Sequence, residues 1–83
     1  MAEKLIGKVE SYFSHVEVAA IKLEAPLSKG DTIHIKGHTT DFQQTVDSMQ
    51  INKKDVEKAK KGDSVGIKVQ DKVRPNDQVF KVG

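Results

Sequence analysis

One turn motif occurs three times in this 83-residue chain and constrains its fold more than any other feature. Each copy has an apolar residue, two further residues, Gly or Asn, Asp, one more residue and a β-branched apolar residue. The copies are Leu27–Ile33, Ala59–Val65 and Val73–Val79, with the turn residues Gly30, Asp31, Gly62, Asp63, Asn76 and Asp77. Gly and Asn accept a positive φ at low cost, Asp hydrogen-bonds to the backbone just beyond it, and a β-branched residue favours a strand. Three turns that each begin a strand predict a small closed or nearly closed β-barrel.

The length and the composition limit the classes of protein to consider. Eighty-three residues predict a single domain, 1–83, with room for one core. No cysteine is present, which excludes disulfides and thiolate metal sites. The longest wholly apolar run, Val18–Ile21, is too short for a signal peptide or a membrane helix. We therefore expect a cytoplasmic protein with no membrane contact.

The charge balance is mildly basic. Fourteen Lys and Arg oppose twelve Asp and Glu, which gives a net charge of +2, and Arg74 is the only arginine. Proteins that read base edges depend on the planar fork of Arg, whereas Lys acts as a point charge. A weakly positive, lysine-rich surface allows contact with an RNA backbone without requiring it, and a solvated surface of mixed charge is the simpler interpretation.

A period of two dominates the chain and predicts six strands. The residues expected to share one face of the first five strands are Leu5, Gly7, Val9, Ser11 and Phe13; Ala19, Ile21 and Leu23; Ile33 and Ile35; Phe42, Gln44 and Val46; and Val65, Ile67 and Val69. The last strand is expected over Val79–Val82. In the fourth strand the phase changes before Met49 and Ile51, which predicts a bulge or a sharp bend near Asp47–Ser48. The segment Asp55–Lys61 has short helical character and stops at Gly62. The prediction is an all-β, antiparallel fold with at most one short helical turn.

Several apolar residues fall on the face opposite the predicted core, namely Ile6, Tyr12, Val16, Val18 and Ala20. If the first two strands pair, these residues form an exposed apolar strip of the kind that often marks a docking site. Alternatively, a bulge in the second strand turns Val16 and Val18 inward. The sequence leaves both arrangements open.

Three segments, Leu27–Ile35, Val46–Ile51 and Ala59–Ile67, resemble the second, β-barrel domain of translational GTPases of the elongation factor Tu type. The segment Ile35–Val46 is also similar to small stand-alone translation elongation factor-like proteins and to the barrel appended to collagenase-like peptidase family proteins. The likeness extends from Ile6 to Val82. It implies a six-stranded, closed, Greek-key-type barrel.

The residues that GTP binding requires are missing. No phosphate-binding loop of the pattern Gly-x-x-x-x-Gly-Lys-Ser/Thr is present. Asn52-Lys53-Lys54-Asp55 fits the guanine-specifying pattern, but that pattern depends on a parallel sheet and a phosphate-binding loop. We therefore predict no GTP binding by the chain itself and no cofactor.

The sequence predicts neither catalytic residues nor a metal site. His34 and His38 are four residues apart with Asp41 close behind, but a strand followed by a loop does not bring such residues onto one face as a helix would. Ser11, Ser14 and His15 are neighbours in sequence, which does not make a catalytic triad. An enzyme acting alone is not expected.

Two stretches are candidate surfaces for RNA or for a protein partner. The first is a loop with hydroxyl and imidazole donors, whose candidate residues are His38, Thr39, Thr40 and Asp41. The second is a lysine cluster on the predicted helical turn, Lys53, Lys54, Lys58, Lys60 and Lys61. In the simpler interpretation, the loop satisfies its own backbone and the lysines form a solvated edge beside Asp55 and Glu57.

Two functions follow from these observations. The resemblance to translation factors implies a non-catalytic, RNA- or ribosome-associated binding module with transfer RNA or the ribosome as partner, and we favour this function narrowly. The appended barrels imply the alternative, an accessory protein-interaction barrel that acts in trans with a larger RNA-modifying or peptidase-like enzyme. Few aromatic residues are available to stack on bases, which is poor provision for single-stranded RNA.

Overall fold

The computed structural model describes residues 3–82, which form ten short strands and no helix. The strands are β1 (Glu3–Phe13), β2 (Val18–Leu23), β3 (Leu27–Ser28), β4 (Thr32–Lys36), β5 (Asp41–Thr45), β6 (Met49–Ile51), β7 (Lys54–Val56), β8 (Lys58–Ala59), β9 (Ser64–Lys68) and β10 (Gln78–Val82). Every strand pair is antiparallel. The expectation of an all-β, antiparallel fold is confirmed.

The predicted helical turn over Asp55–Lys61 is wrong. The segment instead contributes to β7, which pairs with β6, and to β8, which pairs with β3. Asn52 and Lys53 have φ values of 52° and 65° and turn the chain back between β6 and β7. Strand pairing occupies the backbone groups that a helix would have used, and such tertiary pairing outweighs a weak helical preference.

Eight strands form one sheet in the order β5-β4-β10-β1-β2-β9-β6-β7, and β3 and β8 form a separate pair. The sheet curls, because β5 pairs with β4 near one end of this order while β6, only three residues later, pairs with β9 near the other end. Two edge strands nevertheless remain among the described residues, β5 and β7, so the predicted six-stranded closed barrel is not confirmed.

The core is aliphatic and lies on the concave side of the curled sheet. It comprises Ile6, Val9, Ala19, Ile21, Leu23, Ala25, Leu27, Ile33, Ile35, Val46, Met49, Ala59, Val65, Ile67, Val69, Val73 and Val79. The aromatic side chains are peripheral: Tyr12 and Phe42 pack against the core only in part, and Phe13 is 46% exposed. One contiguous apolar cluster is what a single small domain requires.

Two irregularities in β1 overturn the predicted faces of that strand. The pairing register shifts between Leu5 and Gly7 against β10, and again beyond Val9 against β2. Each shift changes which residues point inward. Ile6 is therefore 1% exposed rather than on the outer face, and Phe13 points outward rather than into the core.

The apolar residues exposed near the β1–β2 turn differ in part from those predicted for the outer strip: Ile6 is buried, and Phe13 is exposed. Phe13 lies opposite Val18 and Ser11 opposite Ala20, while Val16 in the connecting turn is 47% exposed. The bulges are in the first strand and not in the second, so Val16 is not turned inward. The described part of the chain contains no helix with the length and apolar character needed to cross a membrane.

Candidate functional site

The three copies of the turn motif form the same hydrogen bonds. Gly30, Gly62 and Asn76 have φ values of 96°, 94° and 75°. In each copy the Asp backbone N–H donates to the carbonyl three residues earlier, at 3.1 Å, 3.0 Å and 3.1 Å. The Asp carboxylate accepts from the backbone N–H of that same earlier residue, at 2.9 Å, 3.0 Å and 2.9 Å. Each Asp carboxylate thus bonds to a residue earlier in the chain. The sequence had suggested a bond to the backbone that follows the Asp.

The second and third turns are joined to the first two strands by paired backbone hydrogen bonds. Val9 donates to Asp77 and accepts from Asn76, both at 2.8 Å. Leu23 donates to Asp63 at 2.9 Å and accepts from Gly62 at 3.0 Å. The two turns therefore stand at fixed positions beside β1 and β2, and they border a surface groove.

This groove has a volume of about 530 Å³. It is lined by Lys8, Val9, Glu10, Lys22, Leu23, Glu24, Lys61, Gly62 and Asn76, and we refer to it as the lysine groove. Lys8 on β1 lies directly opposite Lys22 on β2. The Lys22 Nζ donates a hydrogen bond to the Gly62 carbonyl at 3.0 Å. The arrangement brings three lysines around one concave surface, whose lining also includes the buried residues Val9 and Leu23.

The predicted loop Gly37–Asp41 is closed by its own backbone, because the Gly37 N–H donates to the Thr40 carbonyl at 2.7 Å. His38, Thr39 and Asp41 are exposed, whereas Thr40 is only 5% exposed. Thr39, Thr40 and Asp41 line a second depression of about 400 Å³ together with Asp71, Lys72 and Arg74. His38 is not among the residues that line it.

Asp41 also belongs to a side-chain cluster with His34 and Glu3, so the expectation that His34 and Asp41 would not share a face is wrong. The His34 Nδ1 lies 2.7 Å from the Glu3 carboxylate, and its Nε2 hydrogen-bonds to the Asp41 carboxylate. These two hydrogen bonds, first to Asp41 and then to Glu3, raise the pKa of His34 above 6.5, and the hydrogen bond to His34 lowers the pKa of Asp41. Both ring nitrogens are thus engaged by carboxylates, an arrangement that suits an ion pair and leaves neither nitrogen to activate a nucleophile.

The five predicted lysines lie on two neighbouring turns and two short strands. Lys53 and Lys54 are at the β6–β7 hairpin, Lys58 is in β8, and Lys60 and Lys61 are in the turn before β9. All five are exposed. Lys61 alone among them lines the lysine groove. Over residues 3–82, no group of three or more His, Cys, Asp or Glu residues is placed to hold a metal ion.

Lys8 and Lys22 are the groove residues that sequence reasoning missed. Both were assigned to the outward face of their strands, where a lysine is usually solvated. Their direct opposition depends on the register of the β1–β2 pair, which the irregularity after Val9 sets. Pairing the first two strands as a hairpin would have been the signal, since it places outward residues of the two strands side by side.

No family model matches the chain. An uncharacterized protease of Methanocaldococcus jannaschii is 50% identical over 76 residues, which are 90% of this chain and 19% of that protein. A collagenase of Porphyromonas gingivalis is 40% identical over 78 residues, which are 92% of this chain and 22% of the collagenase. The chain therefore spans about a fifth of the length of the curated relatives that it matches.

The fold has a close structural counterpart. The crystal structure of the C-terminal domain of a Geobacillus thermoleovorans protein, classed there as a U32 peptidase, superposes with a TM-score of 0.90 at 18% identity. The superposition covers 96% of this chain and 93% of that domain. An identity this low shows a shared fold alone. Together the comparisons support the resemblance to the domain appended to collagenase-like peptidases, and they give no support to the resemblance to translation factors.

Proposed function

We propose that the chain is a non-catalytic accessory domain that binds polypeptide and works with a larger, protease-like catalytic region. The observation that carries this proposal is the pattern of coverage. Nine-tenths of the chain aligns with proteins named protease or collagenase, yet the aligned part is only about a fifth of each. A segment of that size, with its own core, is typical of a domain appended to the part that performs the chemistry.

The side chains of the described residues agree with an accessory role. His34 is the one histidine held by hydrogen bonds, and both of its ring nitrogens are directed at carboxylates. The Ser64 hydroxyl donates to Glu10 at 3.0 Å, which leaves it without a histidine partner. An activated nucleophile needs a base beside it and a third group that orients the base. The proposal therefore places the chemistry in the larger protein and binding in this domain.

The experiment uses the Porphyromonas gingivalis collagenase, whose name specifies a testable substrate. Three versions would be compared: the intact protein, a version without the segment that matches this chain, and a version in which this chain replaces that segment. We expect the deletion to weaken binding and hydrolysis of gelatin and the replacement to restore them. Equal gelatin binding and hydrolysis by the intact and deleted versions would contradict the proposal.

The RNA-binding function is tested with the chain alone. Backbone amide NMR of the labelled chain would be followed during titration with bulk transfer RNA at low and moderate salt. Phosphate contacts made by lysines weaken steeply as salt is added. Localised, salt-sensitive shifts at His38–Asp41 or at Lys53–Lys61 would support an RNA-associated module in place of the accessory domain.

A further inference from the structure

The lysine groove is lined by three lysines and two glutamates, which gives it a net charge of +1. Lys8 and Lys22 are direct cross-strand partners, so their side chains leave the sheet on the same side. Within residues 3–82 the ion pairs are His34 with Glu3 and Asp41, and Lys81 with Asp31. Among the carboxylates of residues 3–82, none thus lies within 4 Å of a groove lysine. Like charges placed directly opposite each other are unfavourable unless an anion lies between them.

One of these lysines is held in place by the protein itself. The Lys22 Nζ donates to the Gly62 carbonyl at 3.0 Å, and the Gly62 N–H is bonded to the Leu23 carbonyl at 3.0 Å. The turn that contains Gly62 also carries Lys61. A binding group whose position is set in advance loses less conformational entropy when a ligand arrives. The groove therefore presents at least one oriented cation beside two further ammonium groups.

The rest of the lining distinguishes between kinds of anion. Glu10 and Glu24 also line the groove, and Glu10 is held by the Ser64 hydroxyl at 3.0 Å. Fixed carboxylates repel a continuous polyanion such as a nucleic-acid backbone, but they suit a chain that carries both signs of charge. None of the described residues that line the groove is aromatic, so they provide no surface for stacking on bases. The volume of about 530 Å³ lies in the range of pockets that bind small ligands.

We propose that the lysine groove binds an acidic side chain of an extended polypeptide segment, with Lys8 and Lys22 contacting its carboxylate. This inference rests on the proposed function, because it assigns the polypeptide contact of the accessory domain to one surface. The carboxylate would neutralise the opposed ammonium groups, Lys61 would approach it from the neighbouring turn, and the buried lining residues Val9 and Leu23 would lie beneath the segment.

The test compares binding of a tri-glutamate peptide and a tri-glutamine peptide to the labelled chain by amide NMR. We expect shifts at Lys8, Lys22 and Gly62 with the glutamate peptide only. A K8Q/K22Q variant should bind the glutamate peptide at least about tenfold more weakly, because charged hydrogen bonds are lost. The control is K4Q/K29Q, which removes the same charge at two exposed lysines outside the groove and should leave binding unchanged.

Folding of the groove variant is expected to survive, since removing an unfavourable Lys–Lys opposition should leave the melting temperature equal or higher. Equal binding of both peptides, or equal weakening by the two double variants, would overturn the proposal. So would stronger, groove-localised binding of a short oligouridylate, since this would identify a phosphate ligand.

The replacement version of the collagenase separates this proposal from the proposed function. If this version restores gelatin binding, and still does so with K8Q/K22Q, the accessory function stands and the groove proposal fails. If the glutamate peptide binds the groove but the replacement restores nothing, the groove proposal stands and the proposed function fails. Loss of gelatin binding in K8Q/K22Q but not in K4Q/K29Q would support both.

Discussion

Gly62 adopts a φ of 94° in the turn before β9, and an added Cβ there would meet no heavy atom within 4 Å. A substitution at this position therefore costs backbone strain and no steric clash. Val is strained at positive φ because it is β-branched, and we expect Gly62→Val to lower the free energy of unfolding by about 1–3 kcal/mol. Urea denaturation followed by circular dichroism measures the change.

The matched control for this residue comes from the third copy of the turn. Asn76 occupies the equivalent position with a φ of 75°, so Gly62→Asn should be nearly neutral. If the Val and Asn variants unfold at the same urea concentration as the wild type, backbone conformation at this turn does not limit stability.

His34 links the strand that begins at Glu3 with the strand that begins at Asp41, and the link depends on pH. The hydrogen bonds to Asp41 and Glu3 raise the pKa of His34 above 6.5 in the folded state. The stabilisation is therefore complete below the unfolded-state pKa and is lost as the pH rises through the folded-state value. The pKa of Asp41 is lowered, so its contribution is present above 3.8 and is lost as the pH falls through the lowered value.

We expect the unfolding free energy of the wild type to fall as the pH rises above about 6.5 and through the raised pKa of His34, and His34→Gln to reduce this fall. Denaturant unfolding of both proteins at a series of pH values from below 6.5 upward is the measurement. His38→Gln is the matched control, because His38 is exposed and outside the cluster, and this variant should keep the wild-type slope. Parallel profiles for wild type and His34→Gln would show that the cluster does not contribute.

At the scale of elements, Gln44 joins the end of β5 to the segment that follows β9. Its side-chain amide donates to the Lys68 carbonyl and accepts from the Gln70 N–H, both at 2.8 Å, and the residue is 7% exposed. One side chain thus satisfies two backbone groups at the place where the sheet order leaves β5 as an edge. In a fully paired sheet, hydrogen bonds to a neighbouring strand would satisfy these backbone groups.

Gln44→Ala should therefore lower the free energy of unfolding by about 2–4 kcal/mol, because two partly buried backbone groups lose their partners. It should also accelerate hydrogen exchange at the Gln70 amide. Gln43→Ala, at the exposed neighbouring position on β5, is the control and should change neither quantity greatly. Protection of Gln70 in the Gln44 variant would mean that water or another group replaces the amide.

The sequence predicted those elements whose interacting residues are close together along the chain, and it missed those whose partners are far away in sequence. The turns at Gly30, Gly62 and Asn76 are local, since their hydrogen bonds span three residues, and a local pattern is sufficient to recognise them. The short β3–β8 pair and the register of β1 depend on partners far away in the chain. A period of two gives alternation but not the place where a bulge reverses it.

The same distinction explains the candidate site. The loop and the lysine cluster were found because their residues are neighbours in sequence. Lys8 and Lys22 are opposed only through the β1–β2 register. His34 on β4 meets Glu3 on β1 only because both strands pair with β10. Side-chain groupings made by strand order are not visible in a single sequence without a topology.

At the scale of the whole molecule, the two ends of the described chain are neighbours. Glu3 is paired with Val82, and β1 and β10 stand side by side in the middle of the sheet order. The radius of gyration of 11.1 Å is close to the roughly 12 Å expected for a compact domain of this length. A compact domain whose ends meet can be joined to a larger protein from either end with similar geometry, which suits an accessory role.

This geometry predicts that the chain tolerates circular permutation. A permutant that begins at Lys53 and ends at Asn52, with the original ends joined by a short Gly/Ser linker, should fold with an unfolding free energy within about 2 kcal/mol of the wild type. The new ends fall in an exposed hairpin turn where both residues have positive φ, so opening it also releases local strain.

A permutant opened between Ala20 and Ile21 is the control, and it should not fold, because it divides β2, which pairs with both β1 and β9. Circular dichroism and amide NMR distinguish the outcomes. If the first permutant is unfolded while the wild type is stable, the connection between β6 and β7 is required for folding, and the adjacency of the ends is not enough to make the domain transferable.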